Sequence, residues 1–139
     1  MNACLAMRRY QQVHVHSSVM DATPHRLIQM LMEGALEKIA LAKGNIARNE
    51  IAHKGENIGK AISIVGGLQG SLNIEQGGRL AENLNNLYDY MTRRLVIANI
   101  QSDETILDEV AKLMLEVKAG WDAIPDILDS NSARAASYR

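Results

Sequence analysis

The chain has few of the residues on which disulfide-rich or strand-rich proteins depend. Among its 139 residues are one cysteine, two prolines and no phenylalanine, and aromatic residues make up only 4%. A single cysteine excludes an intramolecular disulfide and a thiolate metal cluster within one chain, and it suits a reducing compartment. A core without phenylalanine has to be built from Leu, Ile, Val, Met and Ala, a mixture that favours helices over sheets.

The chain also lacks an excess of positive or negative charge and has no long apolar run. The 15 basic and 16 acidic residues nearly cancel, so nothing in the charge balance indicates nucleic acid or an anionic membrane as a partner. No apolar run approaches the roughly 18 residues of a membrane span. The first residues, MNACLAMRRYQQ, lack the apolar core of a signal peptide. Because 47% of the residues are apolar, we expect one cytosolic domain with a sizeable core.

The most regular pattern lies in residues 77–95, GGRLAENLNNLYDYMTRRL. Its apolar residues follow at spacings of four, three, four and four, which predicts a helix with one buried face about 80° wide. Asn and acidic residues occupy the opposite face, and Tyr88 and Tyr90 are expected to flank the buried stripe on either side. The stripe consists of Leu80, Leu84, Leu87, Met91 and Leu95.

Three further stretches show the same helical period. Thr23 and Pro24 predict an N-cap followed by the first helical position, Ser102 predicts another N-cap, and Pro125 predicts a helix end. His25, in the first turn, is expected to be exposed, and Trp121 to be a core or groove residue. The helices are predicted to run from residue 24 to about 49, from 51 to 72, from about 77 to 99, and from 102 to 125.

Four amphipathic helices joined by short connections predict an all-α fold, an antiparallel up-down four-helix bundle. We expect residues 1–20 to form an N-terminal arm or short helix, residues 21–125 the bundle domain, and residues 126–139 a flexible C-terminal tail. Three glycines interrupt the second helix pattern, and two interpretations stay open: close approach of a neighbouring helix, or a local bend. These glycines are Gly66, Gly67 and Gly70.

Catalytic and metal-binding motifs are weak. The chain contains neither HExxH nor GxSxG, and the glycine-rich GGLQGS has no phosphate-loop spacing. His14 and His16 have no third ligand at a suggestive distance, and Glu50 and His53 form only one Glu-x-x-His pair, whereas di-iron bundles need two. A helical mutase or lyase would need several inward cations; Arg79, Arg93 and Arg94 fit a solvated edge better. We therefore expect no enzyme, cofactor or metal.

Four segments, in order, carry a family resemblance. Tyr10 resembles a family's N-terminal tyrosine, and residues 22–35, ATPHRLIQMLMEGA, resemble its ASPxxLIxMLYDGA motif. Residues 60–65, KAISIV, resemble KAxxII, and residues 77–91 resemble GGExAxNLxxLYxYM. The family is that of the flagellar secretion chaperones called FliS, and the resemblance covers roughly residues 10–124.

The resemblance implies a cytosolic, non-enzymatic helical bundle. Members of the family bind the C-terminal segment of newly made flagellin, prevent its premature polymerisation, and aid flagellar type III secretion by presenting it to the export apparatus. The bound segment, here called the guest, becomes partly helical in apolar grooves on the bundle. Helices with broad apolar faces and many methionines suit such a guest. The alternatives are a helical-bundle adaptor for another partner or, further from the pattern, a helical mutase or lyase with a basic cavity.

The matched positions give the candidate residues for partner binding. Four of them lie at stripe centres and also suit a core, three tyrosines lie off-centre and suit a groove, and Asn83 lies at an edge where its amide can bond a guest backbone. The N-terminal arm is hypothesised to occupy the groove when no guest is bound, so deleting residues 1–18 should raise guest affinity. The candidates are Tyr10, Ile28, Leu31, Asn83, Leu84, Leu87, Tyr88, Tyr90 and Met91.

Overall fold

The chain folds into a bundle of antiparallel helices. A computed structural model describes residues 21–124, in which each helix packs on the next and the last packs back on the first. This arrangement confirms the predicted all-α four-helix bundle. The predicted arm and tail lie outside the described residues, so the domain boundaries stay predictions. The helices are α1, Pro24–Ala47; α2, Ile51–Gly70; α3, Ile74–Gln101; and α4, Glu104–Ala123.

The start of α1 follows the predicted chemistry, whereas the start of α4 differs. The hydroxyl of Thr23 accepts a hydrogen bond from the backbone N–H of Arg26 (3.1 Å), and proline follows the cap. At α4 the cap is Asp103, whose carboxylate accepts from the N–H of Thr105 at 2.8 Å. Ser102, the predicted cap, instead ends α3 in a left-handed conformation (φ 48°, ψ 49°). The prediction was wrong by one residue because Ser102 is needed to reverse the chain.

The start of α3 also differs from the prediction. The helix was expected to begin at about residue 77, but residues 74–77 already form one helical turn capped by Asn73, whose side chain accepts from the N–H of Gln76 at 3.1 Å. The chain then breaks at Gly78, with φ 56° and ψ −133°, before the long part of α3 begins. Glycine is the residue that adopts this conformation readily, because a Cβ atom would be strained there.

The glycines of α2 do not interrupt it. The helix runs without a break from Ile51 to Gly70, and Gly67 is buried within it. The two interpretations left open by the sequence, close approach of a neighbouring helix and a local bend, both stay predictions. None of the helices within residues 21–124 combines the length and the hydropathy needed to cross a bilayer.

The core consists of aliphatic residues and methionine from all four helices. Within residues 21–124 it contains one aromatic side chain, that of Tyr88, which is 2% exposed. Each helix contributes residues at spacings of three and four, as burial of one face requires. The largest fully buried side chains are Leu31, Met32, Ile39, Ile58, Leu68, Met91, Leu95, Leu107, Met114, Val65 and Val110.

One end of the bundle, called here the closed end, is fixed by a buried cation. Lys54 of α2 is 5% exposed, and its ammonium donates to the carbonyl of Asn99 (2.8 Å) and the hydroxyl of Ser102 (2.7 Å) at the end of α3. The neighbouring α1–α2 contact is made by amides, since Asn57 donates to Asn45 at 2.7 Å. These bonds need one relative position of the three helices, so they specify their register.

Candidate functional site

The opposite end of the bundle leaves apolar side chains incompletely covered. On α3, Met91 and Leu95 are fully buried, yet Leu80 of the same stripe is 66% exposed, and Leu84 and Leu87 are only partly buried. The apolar face of α3 therefore continues beyond the part of the core that covers it. We call this region the open end. It comprises Leu80, Leu84 and Leu87 of α3 with the partly buried Ile28, Leu72, Val117 and Trp121 that the antiparallel topology brings to the same end.

The edge between α1 and α4 is closed at this end by a pair of aromatic side chains. Nε2 of His25 lies 3.0 Å from the carbonyl oxygen of Trp121, and the indole Nε1 of Trp121 donates to the carbonyl of His25, also at 3.0 Å. The rings stack with centroids 4.8 Å apart and an interplanar angle of 14°. Because a carbonyl only accepts, Nε2 carries a proton. We call this contact the His25–Trp121 clasp.

The clasp contradicts the predicted exposure of His25 and agrees with the predicted place of Trp121. His25 was predicted to be exposed, and it is buried, with 8% of its surface accessible. The prediction was wrong because the residue that covers it lies on the last turn of α4, far along the chain. Trp121 is a partly buried residue packed against the core, as expected.

Polar contacts extend the closure of the α1–α4 edge. Gln29 donates to a carboxylate oxygen of Asp122 at 2.8 Å, and Lys118 lies 2.7 Å from the other carboxylate oxygen and 3.7 Å from Glu33. The ammonium of Lys118, followed by the amide of Gln29, lowers the pKa of Asp122. Further along, Lys43 pairs with Asp108. The edge between α1 and α4 is thus bridged near both of its ends.

The edge between α3 and α4 is bridged at one place. Glu109 of α4 accepts from the hydroxyl of Tyr90 (2.6 Å) and from Nε of Arg94 (2.8 Å), both on α3. Within residues 21–124, no other side-chain hydrogen bond or ion pair joins these two helices. The Tyr90 hydroxyl, followed by the Arg94 guanidinium, lowers the pKa of Glu109, and the same bonds raise the pKa of Tyr90 and of Arg94. No such bridge lies beside Leu80, so the open end is open toward this edge.

The edge between α2 and α3 is closed near the open end by an amide. Nε2 of Gln69 donates to side-chain oxygens of Asn85 (2.9 Å) and Asp89 (2.8 Å). The uncovered part of the α3 stripe is therefore bordered by a closed α2–α3 edge on one side and by the unbridged part of the α3–α4 edge on the other.

The predicted binding residues divide between the core and the open end. Tyr10 lies outside the described residues, Asn83 is exposed, and Tyr90 is partly buried by its bond to Glu109. Those fully in the core are Leu31, Tyr88 and Met91, and those partly buried at the open end are Ile28, Leu84 and Leu87.

The expectation that Tyr88 flanks the buried stripe was wrong. Its side chain lies in the core, and burial raises its pKa to about 12. The covered face of α3 is rotated toward α2 relative to the leucine stripe, which is why Tyr88 is buried while Leu80 is not. The residues buried on α3 are Ala81, Tyr88, Met91, Leu95 and Ala98.

Sequence reasoning left four residues of the open end out of the candidate list, among them Leu72, which lies just after α2. Leu80 belongs to the α3 stripe, and Val117 and Trp121 belong to the apolar stripe of α4. Stripe membership was the available signal, but it does not tell a covered position from an uncovered one.

Features of an enzyme or metal centre are not found in the described part of the chain. Arg79 and Arg93 are exposed, Arg94 is paired with Glu109, and the one buried lysine, Lys54, donates to Asn99 and Ser102 at the closed end. Within residues 21–124 no group of three His, Cys, Asp or Glu side chains is placed to hold a metal ion.

A four-helix bundle with a closed end and an uncovered apolar stripe is typical of helical proteins that bind other polypeptides. A family model described as flagellar protein FliS matches residues 6–127. The chain belongs to the FliS family.

Several relatives support this membership over most of their length. The chain is 56% identical over 124 residues to flagellar secretion chaperone FliSB of Pseudomonas aeruginosa, covering 89% of this chain and 98% of the relative. It is 41% identical over 119 residues to flagellar secretion chaperone FliS of Salmonella typhimurium (85% and 88% covered), and 39% identical over 120 residues to that of Vibrio cholerae (86% and 88%). Since these names describe a non-enzymatic role, membership of the family confirms the prediction that the chain is not an enzyme.

Proposed function

We propose that this protein is a flagellar secretion chaperone that binds the C-terminal segment of flagellin at the open end. The observation that carries the proposal is the exposure of Leu80 on the same stripe that is fully buried at Met91 and Leu95. An apolar stripe of this kind accepts the apolar face of an amphipathic helix. The names of the relatives, flagellar secretion chaperones, support an export role.

The proposed site explains how binding would delay polymerisation. A flagellin segment that is disordered when free becomes ordered by covering its own apolar residues on Leu80, Leu84 and Leu87, and is then withheld from other flagellin subunits. Ordering a disordered segment opposes binding, so the interface has to be long and its apolar burial extensive. The complex forms in the cytosol and is presented to the flagellar export apparatus.

Calorimetric titration with a peptide covering about the last 40 residues of the cognate flagellin tests the proposal. We expect a one-to-one complex with a favourable enthalpy and a negative heat-capacity change, because the peptide folds on an apolar surface. Flagellin lacking this segment should not bind. If full-length and truncated flagellin bind equally, or neither binds, the flagellin proposal is wrong, and an adaptor for a different partner becomes the better interpretation.

A matched pair of leucine variants locates the site. Leu80→Ser should weaken peptide binding about tenfold, since it removes most of one buried aliphatic side chain from the complex. Leu115→Ser is the control, because Leu115 of α4 is a comparably exposed leucine (55% against 66%) that lies away from the α3 stripe. Both variants should fold like the wild type, as the replaced side chains are exposed. Equal losses of affinity in the two variants would place the guest elsewhere.

A further inference from the structure

The first turn of α3 is a separate, exposed unit beside the open end. Residues 74–77 follow Asn73, whose carbonyl accepts from the N–H of Gly77 at 2.7 Å, and they precede the break at Gly78. Every residue from 73 to 80 is exposed, including Ile74 at 44%. A turn with so little buried surface moves at a small free-energy cost relative to the rest of the helix.

The break depends on both glycines. At Gly78 the φ of 56° is one that L side chains rarely adopt, so alanine would be strained there. A Cβ atom on Gly77 would lie 2.7 Å from the Cβ of Ala81, far too close for a real contact. In a continuous α-helix, Cβ atoms four residues apart are about 5–6 Å apart. Alanine at both positions therefore favours a straight α3.

We propose that this turn is a movable part of the guest-binding surface, pivoting on Gly77 and Gly78 to pack Ile74 against a guest helix bound over Leu80 and Leu84. The inference rests on the proposed function. Ile74 precedes Leu80 by six residues. If α3 were a straight helix, the two side chains would therefore point about 120° apart around its axis, and Ile74 would face α2. The break at Gly78 removes this constraint, and the guest helix that fits has aliphatic side chains toward both Leu80 and Ile74.

The test compares guest affinity among variants of exposed residues. Ile74→Ser removes the proposed contact, and its control is Ile51→Ser, because Ile51 is likewise an exposed isoleucine at the first position of a helix (60% exposed) but lies at the closed end. Calorimetry with the flagellin peptide should show about tenfold weaker binding for Ile74→Ser and unchanged binding for the control.

A second set of variants tests the pivot itself. The double variant Gly77→Ala/Gly78→Ala should bind the peptide about as weakly as Ile74→Ser, and adding Ile74→Ser to it should cause no further loss, since both changes remove one interaction. Gly59→Ala is the control: Gly59 is an exposed glycine of α2, and a Cβ there meets nothing within 4 Å. Amide hydrogen exchange at residues 74–80 should slow in the double variant as the turn joins α3.

The outcomes separate the two proposals. If the wild type does not bind the peptide, the proposed function and the pivot are both overturned. If the wild type binds and Ile74→Ser binds equally well, only the pivot is overturned. If Ile74→Ser weakens binding but the double glycine variant does not, or if hydrogen exchange in that variant is unchanged, Ile74 contacts the guest without a glycine pivot.

Discussion

His25 and Trp121, 96 residues apart, each bond to the main chain of the other: Nε2 of His25 donates to the Trp121 carbonyl, and Nε1 of Trp121 donates to the His25 carbonyl. Their stacked rings fill the space between these bonds. The pair joins the first turn of α1 to the last turn of α4. The clasp holds α1 and α4 together at the open end. No side-chain bond joins α3 to α4 at that end of the described bundle.

Breaking the clasp should lower stability. We expect His25→Ala to reduce the free energy of unfolding by about 2 kcal/mol, because one hydrogen bond and one ring contact are lost, while the Trp121 carbonyl keeps its bond from the N–H of Ile124. Urea denaturation followed by circular dichroism measures the change. His53→Ala is the control, since His53 is exposed, and it should lie within about 0.5 kcal/mol of the wild type. A His25→Ala variant as stable as this control would show that the clasp contributes nothing.

Removing the buried cation should weaken the closed end. Lys54→Met keeps the apolar stem but leaves the Asn99 carbonyl and the Ser102 hydroxyl without their donor, so we expect a loss of about 2 kcal/mol. Lys60→Met, on the exposed face of the same helix, should be close to neutral. Hydrogen exchange at the α3–α4 connection, compared between the two variants, localises the effect. If Lys54→Met proves as stable as wild type, the methionine stem packs well enough to offset both lost bonds.

The Glu109 bridge predicts an acid dependence of stability. The hydroxyl of Tyr90, followed by the guanidinium of Arg94, lowers the pKa of Glu109 in the folded protein. The unfolded chain therefore binds the proton more readily than the folded one. As a result, the bridge stabilises the fold when the pH is above the unfolded pKa of about 4.3. That contribution is lost as the pH falls through the lower, folded pKa. We expect Glu109→Gln to show a shallower fall in stability than wild type between about pH 5 and pH 3. Identical pH profiles for the two proteins would contradict this role.

Tyr88 predicts the opposite dependence, at alkaline pH. Burial raises its folded pKa to about 12, above the unfolded value of about 10, so the folded state keeps the neutral phenol and stability falls as the pH rises between these values. Tyr88→Phe should remove this part of the fall. Absorbance titration of the phenolate, compared between wild type and variant, measures the pKa directly; a value near 10 would mean that Tyr88 is accessible.

Tyr88 also shows why loss of binding needs a stability control. Tyr88→Ala should cost about 3–5 kcal/mol, because it empties a large volume of the core. Weak guest binding by that variant would then follow from unfolding and say nothing about contact with the guest. Tyr88→Phe fills the same volume, so its peptide affinity separates a core role from a binding role.

Local chemistry was predictable where the partner is near in sequence. The Thr23 cap and the following proline depend on three or four consecutive residues, and they lie where the sequence indicated. The helical period likewise predicted four helices, and short connections predicted their antiparallel order. The cap of α4 was misplaced by one residue, since Ser102 and Asp103 both suit the position and only the reversal of the chain decides between them.

Coverage of a stripe was not predictable, because it depends on distant residues. Leu80 and Met91 carry the same signal in the sequence, yet one is exposed and the other is fully buried. His25 has the polarity and the first-turn position of an exposed residue, but Trp121 covers it from the other end of the chain. The break at Gly78 was also missed, since two glycines before a helix pattern indicate its beginning as readily as a pivot within it.

The concentration of polar bonds around Lys54 has a consequence for how such a chain can diverge. Helix register is specified at the closed end, whereas side chains such as Leu80 contribute little to folding. Substitutions at Leu80 therefore alter the proposed guest surface at small cost in stability. If the partner's sequence changes during evolution, substitutions at the open end can restore complementarity while the packing of the four helices stays the same.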